Sequence, residues 1–451
     1  MRRRLETWFE PEDAYLRLFA GSRRSFWLDS GMGATSGVSY VGDGHRLVTA
    51  SVAEGTVTEW DSTVRRTSRS TVFDHLRANP DDTWVGWLGY ELGALTNGTP
   101  WHPSRYSDAA MISVSRMLEF DHANRVVTAV EGPSTGSPEP FAWITGIERA
   151  PDRRSDAPPQ HSRGPTGRAV WRHDRAGYRR LIEECQRLIR DGEAYQLCLT
   201  NQIRVDGGFD PVDVYLRLRR QSPSHHGGLI RCDGEALASA SPELFLRIDA
   251  DRTVTTMPIK GTRPRGLTAD ADDALRAALA ASEKERAENL MIVDLMRNDI
   301  GRVAEVGTVT VPALLSVESY AQVHQLVSTV RGRMRAGVGA VDAIAACFPA
   351  GSMTGAPKIS AISRLADLEA GPRGVYSGAF GMLRPDGTAE LAMVIRSIVF
   401  DERGATIGTG GGITASSDPD EEIEETRLKA RALLTALLGR DDDGMGVRPA
   451  G

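Results

Sequence analysis

Only four of the 54 basic Lys and Arg side chains in this 451-residue chain are lysines: Lys260, Lys284, Lys358 and Lys429. Lysine can lose its proton and act as a nucleophile or base, whereas guanidinium stays charged. Against so strong an arginine bias, each lysine marks a position where arginine could be unacceptable, although chance survival accounts for the same count. Lys260 lies in Pro258-Ile-Lys-Gly-Thr-Arg-Pro-Arg-Gly266, a strand-to-turn junction where backbone can approach a ligand closely. A desolvated amine there is a nucleophile; the plainer reading is a surface lysine at a strand end.

Carboxylates supply the second chemistry. Glu285 and Glu288 are three apart, as are Glu422 and Glu425, and Lys429 follows Glu425 at i+4. On helices each pair shares one face. If the two faces meet, they form an oxygen-only pocket suited to magnesium, which takes one or two carboxylates, waters and an anionic substrate. Left apart, they are solvated helix faces. Ser241-Pro-Glu243 sets an acid at the entry of an apolar strand, where burial would suit it to general-acid work. Gly408-Thr-Gly-Gly-Gly-Ile offers either an anion nest of free backbone amides or a turn. His324 reads as a satisfied sheet histidine.

These groups need elements to hold them. Periodicity predicts a helix over Tyr178 to Arg190, then a strand from Ala194 to Asn201. Ser282 with Glu285 forms a capping-box pattern, predicting a helix from there through Leu295. Asp418-Pro419 followed by four glutamates predicts the start of the last helix. Strands and helices alternate without a βαβ rhythm, so the fold class is α+β. Residues 1–131 read as strands with a few helices, 132–167 as a Pro/Gly/Ser-rich linker, 168–438 as the main domain and 439–451 as a disordered tail.

Composition excludes some partners. The formal charge of −6 argues against nucleic acid or an anionic membrane. The basic start is followed by no apolar run of signal-peptide length, and no stretch could span a bilayer. Cys185, Cys198, Cys232 and Cys347 lack metal or redox spacing and read as reduced thiols. The expectation is a soluble cytoplasmic protein.

Several segments together resemble the chorismate-utilising enzymes, the group containing anthranilate synthase component I, aminodeoxychorismate synthase component I, isochorismate synthase and salicylate synthase. They are Glu193-Ala-Tyr-Gln-Leu-Cys-Leu-Thr, Ser241-Pro-Glu-Leu-Phe-Leu, Pro258-Ile-Lys-Gly-Thr-Arg, Glu288-Asn-Leu-Met-Ile-Val-Asp-Leu, Gly351-Ser-Met-Thr-Gly-Ala-Pro-Lys, Tyr376-Ser-Gly-Ala-Phe-Gly, and Gly410-Gly-Gly-Ile with Asp418-Pro-Asp-Glu-Glu-Ile-Glu-Glu. The likeness runs in order over about 250 residues and is weaker in the N-terminal third. It implies a sandwich of two β-sheets flanked by helices, with the active site in a cleft, a magnesium ion and chorismate as substrate. By the same resemblance Glu288 and Glu425 are the metal carboxylates, with Glu285 and Glu422 joined through water. Arg396, Tyr376 and the amides of Gly410, Gly411 and Gly412 match the pyruvyl-carboxylate site, with Lys429 adding charge. Glu243 matches the general acid; Gly261, Thr262, His324 and Thr354 match pocket-lining positions.

Two positions discriminate among members of the group. Gln196 stands where isochorismate and salicylate synthases carry a water-activating lysine, which favours ammonia as the nucleophile. Lys260 stands where anthranilate synthases usually have alanine, and resembles the aminodeoxychorismate synthase branch, whose lysine attacks ring carbon 2 covalently. Ammonia is then expected from a separate glutamine amidotransferase, since no cysteine here has a Gly-x-Cys-x-Gly setting. The product expected is 4-amino-4-deoxychorismate, toward p-aminobenzoate and folate. Anthranilate or 2-amino-2-deoxyisochorismate is the alternative. Leu244 and Ala415 depart from the usual arginine and aspartate of the group.

Overall fold

The structure is a computed structural model that describes residues 1–61, 64–132, 139–144, 167–320 and 323–439. Two sheets of twelve strands each form the frame. Alternation along their strands explains how they stack: successive side chains point to opposite faces. Phe26 faces the layer between the sheets while its neighbour Trp27 faces the outer helices. Trp87 turns inward to the same layer, and Trp84 and Leu88 outward. The middle layer thus holds Phe26, Ile230 and Val399 from one sheet against Val85, Trp87 and Phe380 from the other. The helices Pro211–Gln221 and Pro419–Leu438 cover the outside of the first sheet, and Glu283–Gly301 and Ala340–Cys347 that of the second. This is the expected α+β sandwich.

Both sheets are shared between the two regions distinguished by sequence. In the first, Arg24–Asp29 pairs with His226–Cys232; in the second, Trp84–Leu88 pairs with Ala379–Leu383. The change of composition at 132–167 is therefore crossed by hydrogen-bonded strands on both sides. Most of that stretch, and the tail from 440, lie outside the described residues. Its described part, 139–144, is fastened to the core: Phe141 and Ile144 are buried, and the Phe141 amide and Trp143 Nε1 both donate to Glu131 Oε1.

The helix after Ser282 runs as Glu283–Gly301, longer than expected, and the Ser282 hydroxyl makes no cap bond. The capping box fails because Glu285 Oε1 accepts instead from Arg263 Nη1 at 2.8 Å. The last helix starts as expected, with the Asp418 carboxylate accepting from the Asp420 and Glu421 amides. All four cysteines are free and buried. Among the described residues no helix is long and apolar enough to cross a membrane.

Candidate active site

Lys260 is aimed by a fault in a strand. Ile259–Pro264 pairs with Val323–Arg333, but three steps from Ile259 to Thr262 oppose two from Val327 to Gln325. The extra residue makes a β-bulge, a device that redirects a side chain. Gly261 carries it at φ +83°, and a Cβ there would collide with the Glu285 carboxylate, so only glycine serves. The lysine side chain turns toward the strand Gly404–Ile413: its Nζ lies 3.6 Å from where a Cβ of Gly412 would stand. From there its charge acts on Glu243, Glu288 and Glu425.

The glycine run does not form a nest. It lies in a strand paired along its length with Gln196–Asp206, while Ser397–Asp401 pairs only with Gly404 to Ile407, and Gly408 to Gly412 have no positive φ. The glycines are needed for close approach by side chains. A Cβ at Gly408 would enter the Tyr376 ring, one at Gly411 would meet Glu422 Oε2 at 3.0 Å, and one at Gly412 would strike Gln196 Nε2. Stripped of side chains, the strand becomes a floor on which catalytic groups can lie.

Two helices bring the carboxylates to this floor. Glu422 is buried, and its Oε1 accepts from Ser417 Oγ at 2.8 Å and Lys284 Nζ at 3.2 Å. Glu425 pairs with Lys429 at 2.8 Å, and Lys429 also donates to the Gly410 carbonyl. Desolvation opposes ionisation of Glu425, yet Lys429, Lys284 and Lys260 together hold its carboxyl below the usual range. Partial burial raises the Glu288 carboxyl against the pull of Lys260 and Lys284, with Glu422 and Glu425 adding like charge. Glu288, Glu422 and Glu425 therefore share one field. Glu285 keeps Oε2 buried without a hydrogen-bond partner.

Glu243 has a different character. It is buried, and desolvation pushes its carboxyl up to about 7, against a Ser352 hydrogen bond and the charges of Lys260 and Lys429. At that value it can both hold and release a proton near neutrality. Tyr376 is a buried phenol driven above its ordinary value by desolvation, so it stays neutral. Arg396 is exposed but acts on Tyr376 and Glu425. Ser377 and Arg396 hold left-handed backbone at φ +67° and +52°, strain of the kind that gathers at functional sites.

Not every expected residue joins. Both His324 nitrogens are occupied, Nδ1 with Ser319 Oγ at 2.8 Å and Nε2 with Asp272 Oδ1 at 3.0 Å, leaving none for a ligand. The Thr354 hydroxyl donates to the Ala350 and Gly351 carbonyls, and Thr262 is exposed. Sequence reasoning missed Lys284 and Ser352. Lys284 had a signal, since it is one of four lysines and stands at i−4 from Glu288; Ser352 had none.

Among the described residues no three histidine, cysteine or carboxylate side chains close on one point. Magnesium does not require that, because one or two carboxylates suffice with waters and an anionic ligand. The oxygen-only donor set and the orphaned Glu285 oxygen fit it.

A family model described as chorismate binding enzyme matches residues 23–435. The chain belongs to the chorismate-binding enzymes. Within this family it is 43% identical to aminodeoxychorismate synthase of Streptomyces pristinaespiralis over 95% of its length, and spans 64% of the length of that relative. It is 38% identical to anthranilate synthase component 1 of Streptomyces coelicolor over 78% of its length, covering 72% of that protein. The crystal structure of anthranilate synthase component I from Streptococcus pneumoniae aligns with a TM-score of 0.76 at 26% identity, covering 94% of this chain and 97% of that one.

Proposed function

We propose that the chain aminates chorismate with ammonia to give 4-amino-4-deoxychorismate, the precursor of p-aminobenzoate. The carrying observation is Lys260 on its bulge, turned over the glycine floor beside Gln196 and within the field of Glu243, Glu288 and Glu425. The Lys260 amine attacks ring carbon 2 and both ring double bonds shift as the 4-hydroxyl departs, taking a proton from Glu243 and leaving as water. Ammonia then attacks carbon 4, both double bonds shift back, the lysine is expelled as the free amine, and a proton from the new ammonium group returns to Glu243. A protonated carboxyl is needed for the first step, and the raised Glu243 supports that role.

Glu288 and Glu425 would hold magnesium, with Glu285 and Glu422 reaching it through water. When bound, the ion supplies a positive anchor for the ring carboxylate. Arg396 and Tyr376 would orient the pyruvyl carboxylate. Gln196 cannot act as a base, which supports ammonia over water as the incoming group. Ammonia would come from a glutamine amidotransferase partner, in a cytoplasmic setting.

The similarity to anthranilate synthase component 1 favours one alternative, amination at carbon 2 leading to anthranilate. Purified chain with chorismate, magnesium and an ammonium salt should release a product that an added lyase converts to p-aminobenzoate. Release of anthranilate instead would overturn the assignment.

A further inference from the structure

Arg373 is buried, and each N–H of its guanidinium has an acceptor. Nε donates to Glu369 Oε2 at 2.8 Å, and Nη2 donates to Glu369 Oε1 at 2.7 Å and to the Cys198 carbonyl at 2.8 Å. Nη1 donates to the Met353 carbonyl at 2.6 Å and to Ser377 Oγ at 3.4 Å. The guanidinium also lies 4.3 Å from the centre of the Tyr90 ring, and Glu91 Oε1 accepts from the Arg373 amide at 2.8 Å. A side chain so constrained has one position.

The pair with Glu369 uses only two of these donors. The rest reach three stretches that each carry a group of the site: Gln196 opens the strand holding Cys198, Ser352 precedes Met353, and Tyr376 precedes Ser377. Ser352 depends on them most. Its segment, Gly351–Met353, is a single 3₁₀ turn, too short to be held by a ladder of its own. Upstream, Lys358 Nζ fixes the Pro349 carbonyl at 2.8 Å. Downstream, Arg373 takes the Met353 carbonyl, and the Cys198 amide donates to the Thr354 carbonyl at 2.9 Å. Because Arg373 also holds the Cys198 carbonyl, it clamps the turn to the strand. Between these anchors the buried Ser352 hydroxyl donates to the Glu243 carboxylate.

We propose that Arg373 is a positioning residue for the acid: by fixing the Met353 carbonyl it holds the neighbouring Ser352 hydroxyl on Glu243. The catalytic meaning of this relay rests on the amination reading, in which Glu243 protonates the departing hydroxyl; the contacts themselves do not. Lysine cannot take the place of Arg373. Its ammonium has three donors, too few for both Glu369 oxygens and both carbonyls.

The test reads the ionisation of Glu243 and needs no turnover. The full chain, without chorismate or magnesium, is titrated by infrared spectroscopy against its own Glu243→Gln counterpart, so that the difference isolates one carboxyl. The parent should titrate at about 7. Ser352→Ala removes a bond that favours the carboxylate form and should raise the midpoint by about one to two pH units. Arg373→Lys should raise it by a similar amount, and the two changes combined should add little more. Lys260 and Lys429, whose charges also act on Glu243, are intact throughout. Should Arg373→Lys not fold, Arg373→Met with Glu369→Leu carries the test and should give the same shift, because exchanging a buried ion pair for apolar side chains of similar volume is often neutral in stability. A lowered Tm with the midpoint unmoved would make Arg373 a structural part only and overturn the assignment. An unmoved midpoint in Ser352→Ala, or shifts that simply add, would overturn it too. Because chorismate is absent, failure here is separate from failure of the amination assay.

Discussion

Two lysines of the same chain sit in opposite circumstances. Lys358 is buried and fully spent: its ammonium donates to Asp299 Oδ2 at 2.6 Å, the Pro349 carbonyl at 2.8 Å and the Cys347 carbonyl at 3.1 Å. Lys260 is half-buried and makes no hydrogen bond or ion pair among the described residues, although carboxylates surround it. An ammonium with three acceptors is a structural bolt. One held near charge yet left unbonded is available to a reactant. Arginine would fail at both places, at the first by shape and at the second by chemistry.

The sharpest way to separate the two is to remove each amine. Lys260→Ala should cut amination by roughly 10²–10³ in kcat with the melting temperature nearly unchanged, the size of losing a group that acts only in the transition state. Near-normal steady-state turnover would end the covalent route. Lys358→Met should do the reverse, destabilising by about 3–5 kcal/mol in denaturant titration because Asp299 is stranded as a buried charge. A loss under 1 kcal/mol would show that the Asp299 pair contributes little.

Metal and proton should sharpen the contrast further. Glu288→Gln or Glu425→Gln should remove magnesium-dependent activity, and an unaltered magnesium titration would withdraw both residues from the ion. Glu243 must be protonated to act, so kcat should fall as pH rises through about 7, and Glu243→Gln should lose that limb. Its stability effect has a definite sign. A carboxyl whose folded pKa is raised is penalised once it ionises, so Glu243→Gln should gain stability over the parent at pH 8 and lose that gain by pH 4.5. The smallest effect is expected at Lys284, whose ammonium neutralises Glu422. Lys284→Met should tighten magnesium binding a few-fold by calorimetry, since a competing cation is gone.

Local signals made much of the site legible in the sequence. The i,i+3 glutamates, the Asp418-Pro419 helix start and the few lysines each report short-range geometry, and the fold gathers Glu288, Glu422 and Glu425 with Lys260, Lys284 and Lys429, while Lys358 goes elsewhere. The glycine run misled for a long-range reason: Gly408 and Gly412 exist to admit Tyr376 and Gln196, which come from distant parts of the chain. His324 is claimed by Asp272, 52 residues away, for the same reason. The bulge at Lys260 shows only in register with Val323–Arg333, and the sharing of both sheets across residues 132–167 follows from pairings that no local pattern encodes.

That sharing sets a timetable for synthesis. Trp87 sits in a strand whose neighbour carries Phe380, so the ribosome must add about 290 residues before one rim of the N-terminal half is paired. At 5–20 residues per second this is roughly 15–60 s of exposed apolar edge, long enough to recruit a holdase or to invite association between nascent chains. The same wait forbids dividing the gene at the composition break: neither product would own a complete sheet, and co-expressed halves would have to find each other before they aggregate.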